Sequence, residues 1–513
     1  LHLDDERVTL TLAFGDVADV LPKLRLAADA IYLDGFAPDR NPEMWTPGVM
    51  KTLARLARPG ATLATYTAAR TVRDALAAAA FAPALRAGFG RKRQMLAARF
   101  TPRAPLRHGA PAAPHWSERR AIVIGAGLAG AGVAERLVAR GWKVELIERH
   151  AAPAAEASGM AAGIIHPQVS RDDSVLSRLT RAGFLYALLR WRALERDGHR
   201  FAWTRCGLLQ FGRDVREERR MADSVRALGN PADYVQYVAR EEAGRHAGLS
   251  TENGGLWFPA GGWVRPVNLV TALVEAARPG LTFFPGRTVN ALVRDKDLWL
   301  AIAPDGTPIA AAPVVVLANS HDAARLVPVA TALKRVRGQL TCLPPGSIAP
   351  PDTVVAGAGH LIPVGDGAAV VGSTYDFEDD DPEPSAAGHA GNLERLERLL
   401  PGIAARLSPG RLAGTVGFRC VTQDRLPLIG RLPDAGAASA NTARYKSPAW
   451  DVPRLEGLYG AFGYASRGLT WASLGGELVA SAVEGEPLPL EGDLADAIDP
   501  ARFVLRRARR GRL

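Results

Sequence analysis

The stretch Arg119 to Glu148, RRAIVIGAGLAGAGVAERLVARGWKVELIE, constrains the fold more than any other part of the chain. The apolar run Ala121 to Ile124 reads as a buried parallel strand. It enters Gly125-Ala126-Gly127-Leu128-Ala129-Gly130, and a segment of helical period then runs to Arg140. Gly125 permits the tight turn, Gly127 lets backbone approach a pyrophosphate, and Gly130 lets the helix pack close to the strand. Gly141 ends the helix and Lys143 to Ile147 forms a second strand. Glu148 stands at its end, about 20 residues after the glycines, where a carboxylate accepts hydrogen bonds from ribose hydroxyls. This combination binds an adenine dinucleotide. Glu148 disfavours a 2′-phosphate and does not separate NAD from FAD.

With 513 residues, 47% of them hydrophobic and 23% charged, the chain has room for two to four folded domains. No uncharged apolar run of about eighteen residues occurs, and the opening LHLDDERVTL carries acids where a secretion signal is basic, which together predict a cytoplasmic protein. Cys206, Cys342 and Cys420 are widely spaced, arguing against a disulfide framework or structural zinc and for reduced, buried thiols; no metal site is expected. The net charge of +10 fits a polyanionic partner and an arginine-rich proteome equally well.

The first hundred residues alternate strand and helix. Strands are expected at Val8 to Phe14, Ala30 to Leu33 and Ala61 to Tyr66, and helices at Val17 to Leu24 and 46–58. The second helix has Thr46 as N-cap, Pro47 at its first position and Pro59-Gly60 as its stop. This is the tail of a doubly wound sheet, and the absence of a glycine-rich turn before Val8 leads us to expect that the N-terminal half of this domain is missing. Residues 104–118, rich in proline and alanine, read as a linker. Beyond it, helices are expected at 174–196, 214–228, 266–277, 391–407 and 467–484, and strands at 207–212, 282–293, 298–303, 313–318 and 369–374. The acidic stretch Asp376 to Glu383 reads as a solvated turn.

The strand Pro313 to Asn319, the run Ser158-Gly159-Met160-Ala161-Ala162-Gly163, Arg337-Gly338-Gln339, GFRCVTQDRLPLIG at 417–430 and GAFGYASRGLTWASLGGELVA at 460–480 together resemble the FAD-dependent amine and amino-acid oxidases that include glycine oxidase. The resemblance covers roughly 119–500. It implies that Gly125, Gly127, Gly130 and Glu148 hold the ADP half of FAD and that Ser158 and Gly159 approach the pyrophosphate and isoalloxazine. Arg467-Gly468-Leu469 would lie at a helix N-terminus that stabilises the reduced ring, and Arg419 would grip a substrate carboxylate. A structural ion pair is the alternative for Arg419.

The first domain carries its own signature: YLDGFAP at 32–38, NPEMW at 41–45, RLARPGATLATY at 55–66 and GFGRKR at 88–93. These resemble the methyltransferase domain of the bacterial bifunctional tRNA 5-methylaminomethyl-2-thiouridine biosynthesis family, in which a flavin oxidoreductase domain follows in the same order. The implied fold is α/β: a partial Rossmann-like methyltransferase domain over 1–103, then over 119–513 an FAD-binding dinucleotide fold with an inserted mixed-sheet substrate domain. The implied reaction acts on the tRNA wobble uridine. The flavin domain removes the carboxymethyl group of 5-carboxymethylaminomethyl-2-thiouridine, and the methyltransferase domain methylates the exposed amine from S-adenosylmethionine. Asp34, at a strand's C-terminal end, would orient that amine and take its proton, unless it is a loop carboxylate capping a turn. Asp16 either contacts the cofactor's adenine or serves an ordinary Gly-Asp turn.

Trp45 could stack on a base, though packing is the better reading. Arg91-Lys92-Arg93 and the arginines from Arg506 to Arg512 could meet tRNA phosphates or form solvated charge runs. The glycine-rich turn that binds S-adenosylmethionine in the family would precede Val8, so methyl transfer is expected to be lost or crippled if these residues are the whole protein. Two rival functions are a glycine- or sarcosine-type small-molecule oxidase and a tRNA-binding protein whose flavin is inert.

Overall fold

The computed structural model describes residues 1–4, 7–90, 92–104, 114–405, 407–439 and 452–510. Residues 105–113 of the expected linker, together with Arg91 and Arg512, lie outside the described residues. Six strands form the central sheet, in the order Leu281–Phe284, Lys143–Ile147, Arg120–Ile124, Val314–Leu317, Arg454–Phe462 and Leu428–Pro433. All neighbours are parallel except the last pair. The strand Arg120–Ile124 is apolar throughout its last four residues because both faces of the sheet are covered: helices pack on Ala121 and Val123, and a three-stranded antiparallel sheet over 291–312 packs on Ile122 and Ile124.

Two of those helices, Leu128–Ala139 and Gly468–Glu484, meet at glycines. A Cβ on Gly476 would lie 2.3 Å from the Gly132 carbonyl, and one on Gly132 would lie 2.6 Å from that of Ala472, so the two backbones touch. This contact places the N-termini of both helices at the same edge of the sheet, beyond the carboxyl ends of its parallel strands. The second large element is a nine-stranded mixed sheet. Its strands Lys334–Leu343 and Ala413–Val421 pair antiparallel along their length, with Gly338 opposite Gly417 and Val336 opposite Arg419.

The N-terminal residues form a separate four-stranded sheet, in the order Ala28–Leu33, Ala57–Thr65, Gln94–Phe100 and Phe81–Ala87. Helices Pro47–Leu56 and Arg70–Ala78 cover it, over a core that includes Met50, Leu63, Val72, Leu76, Leu96 and Phe100. Thr46 caps the first of these helices, its Oγ1 accepting from the Val49 amide at 3.3 Å.

Several elements differ from expectation. Only Val8–Thr9 of the first expected strand is extended, paired with His2–Leu3. Leu10, Leu12 and Phe14 are exposed, because the segment has no partner in the four-stranded sheet, where Ala28–Leu33 is the edge. The helix at 46–58 stops at Leu56, and the following strand takes in Pro59-Gly60 through a register shift. The expected strand 282–293 is two strands in different sheets, Leu281–Phe284 and Ala291–Asp295, divided at Pro285-Gly286, where Gly286 has φ +66°. The helix expected at 391–407 runs from Ala386 to Leu399. Ser385 starts it and Leu400, the residue before Pro401, ends it. The C-terminal arginines continue an ordered helix, Arg502–Arg509, whose Arg502 and Arg506 both pair with Asp424.

Candidate functional site

A cleft of about 530 Å³ opens where the carboxyl ends of the central parallel strands face the nine-stranded sheet. Gly125, Gly127, Leu128, Glu148 and Ser158 line it, together with Arg467, Gly468, Leu469 and Arg419. Each glycine of the turn answers a different contact. Gly125 has φ +101° and its backbone passes the Ala318 carbonyl so closely that a Cβ would sit 2.8 Å from it. Gly130 does not line the cleft; a Cβ there would fall 1.8 Å from the Gly125 carbonyl, so it serves packing alone.

Glu148 is buried. One carboxylate oxygen accepts from the Ala126 amide at 2.8 Å and the other from the His150 amide at 2.9 Å, which fixes the carboxylate across the turn. Each oxygen retains a further lone pair for a ribose hydroxyl. Ser158 is engaged as well: its Oγ accepts from the Leu128 amide at 3.0 Å, capping one orphan donor of the glycine-turn helix. A Cβ on Gly127 would lie 2.9 Å from that Oγ, so Gly127 makes room for Ser158. Gly159 does not line the cleft; its missing side chain admits the Ala154 carbonyl. Bare glycines, free helix-end amides and a fixed carboxylate suit the ADP half of FAD.

Arg467 stands at the N-cap of helix Gly468–Glu484 and donates to Gln168 Oε1 at 3.1 Å; burial lowers its pKa. Arg419 lines the same cleft. Its guanidinium donates to the carbonyls of Arg337 and Thr374, each at 3.2 Å, and to Ser373 Oγ at 2.7 Å, and its Cζ sits 5.1 Å from the Tyr375 ring centroid. It crosses its neighbouring strand at Gly338, where a Cβ would come within 2.2 Å of Nη1. No carboxylate lies within ion-pair distance of Arg419 among the described residues, so the alternative of a structural ion pair finds no support there. Burial depresses its pKa, with partial compensation from Tyr375 and Asp376, and an arginine remains charged through such a shift.

Cleft residues absent from the sequence reading include His166, His360, Ser373 and Tyr375. The His-Pro-Gln run closely following Gly163, and Ser-Thr-Tyr at the end of strand Ala368–Gly372, were the available signals. Burial pushes both imidazoles down to about 4, and nearby Arg467 adds to the effect on His166 and Arg419 to that on His360. The acidic stretch is not simply solvated. The carbonyls of Asp381 and Glu383 accept from buried Arg337, and Asp380 pairs with Arg335 at 2.9 Å. Cys420 is buried and its thiol pushed up to about 12, which makes it a poor nucleophile.

Asp34 and Asp16 belong to the N-terminal sheet and do not reach this cleft. Asp34 follows strand Ala28–Leu33 with its side chain exposed. Asp16 Oδ1 accepts from the Ala18 amide at 2.8 Å, the geometry of an ordinary helix cap. Trp45 is buried, its Nε1 donating to the Phe36 carbonyl. Among the described residues no group of side chains could hold a metal ion, and no helix is long and apolar enough to cross a membrane.

Comparison with known proteins locates these features in a lineage. The model for FAD dependent oxidoreductases matches residues 120–482, and that for an S-adenosyl-L-methionine-dependent methyltransferase matches residues 1–101. Among solved structures, glycine oxidase from Geobacillus kaustophilus is 24% identical, with a TM-score of 0.59 over 72% of this chain and 95% of its own. Iminodiacetate oxidase from Chelativorans is 23% identical, also at 0.59, over 74% and 99%. These share the fold. The tRNA 5-methylaminomethyl-2-thiouridine biosynthesis bifunctional proteins MnmC of Paraburkholderia phytofirmans and Burkholderia mallei are 51% and 50% identical, across all of this chain and 79% of each of theirs. With both domain models matching in the same order and half of all residues shared along its whole length, the chain belongs to the MnmC family.

Proposed function

We propose that the chain removes the carboxymethyl group from 5-carboxymethylaminomethyl-(2-thio)uridine at the wobble position of tRNA, leaving 5-aminomethyl-(2-thio)uridine. Its N-terminal domain would belong to the S-adenosylmethionine-dependent methylation that completes 5-methylaminomethyl-2-thiouridine. The observation that carries the reading is Arg419: a buried guanidinium, anchored on three oxygens and lacking a carboxylate partner among the described residues, facing the cleft of an FAD-dependent oxidoreductase. Such a group calls for a carboxylate from the substrate, and the carboxymethylamino arm ends in one.

Gly125, Gly127, Glu148, Ser158 and the N-terminus of helix Gly468–Glu484 would hold FAD, which when bound accepts the two electrons lost from the methylene beside the amine. Arg419 fixes that methylene by gripping the adjacent carboxylate. Arg419 and Arg467 also disfavour a protonated substrate amine, and His166 and His360 stay neutral near pH 7, so the cleft selects the amine with its lone pair free. Hydrolysis of the oxidised carbon–nitrogen bond then releases the arm as glyoxylate.

For the second step, exposed Asp34 would accept the proton of the attacking amine. We take the domains as 1–103 and 119–513 joined by 104–118. This division is supported by the four-stranded sheet ending at Phe100 and the central sheet starting at Arg120. Action on tRNA further implies a cytoplasmic site of work.

The test is nucleoside mass spectrometry of tRNA bearing the carboxymethylaminomethyl group after incubation with the FAD-loaded chain, with and without S-adenosylmethionine. Conversion to the aminomethyl nucleoside supports the reading. Unchanged tRNA, from protein that oxidises sarcosine or glycine, would replace it with the small-molecule oxidase that the glycine oxidase fold also accommodates.

A further inference from the structure

Among the described residues of 119–510, only two aromatic side chains are exposed, Tyr375 and Phe377; they stand side by side, with Tyr375 next to Arg419. Their ring centroids are 5.4 Å apart at 71°. Tyr375 lines the cleft, and Phe377 continues outward on the short strand Asp376–Phe377, paired with strand Lys334–Leu343 through Val336. A soluble domain that buries or half-buries all its other described aromatics leaves two exposed at one mouth only where something covers them.

Charge at the ledge is sorted by position. The Lys334 ammonium lies 5.9 Å from the Phe377 centroid and has no carboxylate partner among the described residues. Asp376 and Asp379 approach Arg337 at 3.7 and 3.6 Å, and Asp380 pairs with Arg335, so three of the neighbouring acids are committed to arginines of the sheet, while Glu378 beside Phe377 is exposed. An aromatic pair with a free cation at its edge is the chemistry that receives unstacked nucleobases and a phosphate.

Resting on the function proposed above, we propose that Tyr375 and Phe377 form a stacking ledge for the anticodon loop: Tyr375 for the modified uracil, Phe377 for an adjacent base, with Lys334 on the phosphate between them. The length of the substrate arm sets the position. From uracil C5 through CH2, NH and CH2 to the carboxylate carbon is four bonds, about 5 Å end to end. With the carboxylate on Arg419, its carbon about 4 Å from the guanidinium carbon, the base lies within about 9 Å of that carbon, a reach that includes a base stacked on Tyr375, whose centroid is 5.1 Å from it. A neighbouring base then falls over Phe377.

The experiment uses the full chain loaded with FAD and tRNA carrying the carboxymethylaminomethyl group, comparing Phe377→Ala, Phe377→Tyr and the unsubstituted chain. For Phe377→Ala, kcat/KM on tRNA is expected to fall about tenfold, the effect of losing one stacked base. Bound FAD and the rate of flavin reduction at saturating tRNA should stay unchanged, and Phe377→Tyr should restore kcat/KM. An unchanged kcat/KM in Phe377→Ala overturns the ledge, as does a parallel loss of bound FAD or of the saturating rate, which a merely structural role would give. If tRNA fails to reduce the flavin even in the unsubstituted chain, the functional reading fails first and the ledge with it.

Discussion

Arg419 depends on a glycine of the neighbouring strand that lines the same cleft. Gly338 leaves the space over which the guanidinium crosses, and a methyl group there would overlap Nη1. Gly338→Ala is therefore expected to lower kcat/KM on carboxymethylated tRNA roughly a hundredfold, about as much as Arg419→Ala, through loss of charge-assisted contacts. The double variant should be no worse than either single one, and flavin absorbance should show FAD retained in all three. The histidines make a separate prediction about pH. His166 and His360 have folded pKa values near 4, below the ordinary value of about 6.5. Between those two pH values the unfolded chain binds protons that the folded chain refuses, so stability falls as pH drops from about 6.5 to about 4. Urea unfolding at pH 7 and pH 4.5 should show a smaller loss for His360→Gln than for the unsubstituted chain.

At the scale of elements, helix Gly468–Glu484 carries two duties. Its N-terminus lines the cleft with Arg467, and one residue past its middle Glu477 enters a buried cluster of charge. Glu477 accepts from Arg136 at 3.0 Å, Arg140 at 2.6 Å and the Tyr186 hydroxyl at 2.8 Å. Burial alone would raise its carboxyl; hydrogen bonds and charge from His2, Arg136 and Arg140 hold it instead well below the usual carboxylate range. The cluster ties together the helices that meet at Gly132 and Gly476. Glu477→Gln weakens a network in which Arg136 keeps Glu135 and Arg140 keeps Glu486, and is expected to cost about 1.5–3 kcal/mol, read by chemical denaturation. FAD should also bind more weakly, because the helix end that lines its cleft is no longer held.

At the scale of the whole molecule, the N-terminal sheet and its helices touch the rest of the chain. Arg25 of the N-terminal domain pairs with Asp496, and a Cβ on Gly492 would lie 3.0 Å from the Lys23 carbonyl, so the joint is packed. Asp34 nonetheless lies outside the flavin cleft. Asp34→Asn is therefore expected to leave carboxymethyl removal unchanged. Mass spectrometry should show the aminomethyl nucleoside accumulating whether or not S-adenosylmethionine is added. Loss of both steps would mean that the domains act as one unit.

The glycine turn, its flanking strand and helix, Glu148 and the position of Arg467 at a helix start were legible in the sequence, because each is a local pattern in which neighbours along the chain are neighbours in space. Arg419 was legible only through family resemblance. What it does with its hydrogen bonds depends on Gly338, Ser373 and Thr374, distant residues brought together by strand pairing. His360 was missed for the same reason, since it carries no local signature, and the Ser-Thr-Tyr run that ends in Tyr375 points to a site only once the strands have paired. The strand expected at Val8 to Phe14 failed in the opposite direction: alternation made it look extended, but a strand persists only where a neighbour takes up its hydrogen bonds, and the four-stranded sheet gives it none. Sequence determined the cofactor fold by local geometry; tertiary packing alone decided which side chains gather around Arg419 in the cleft.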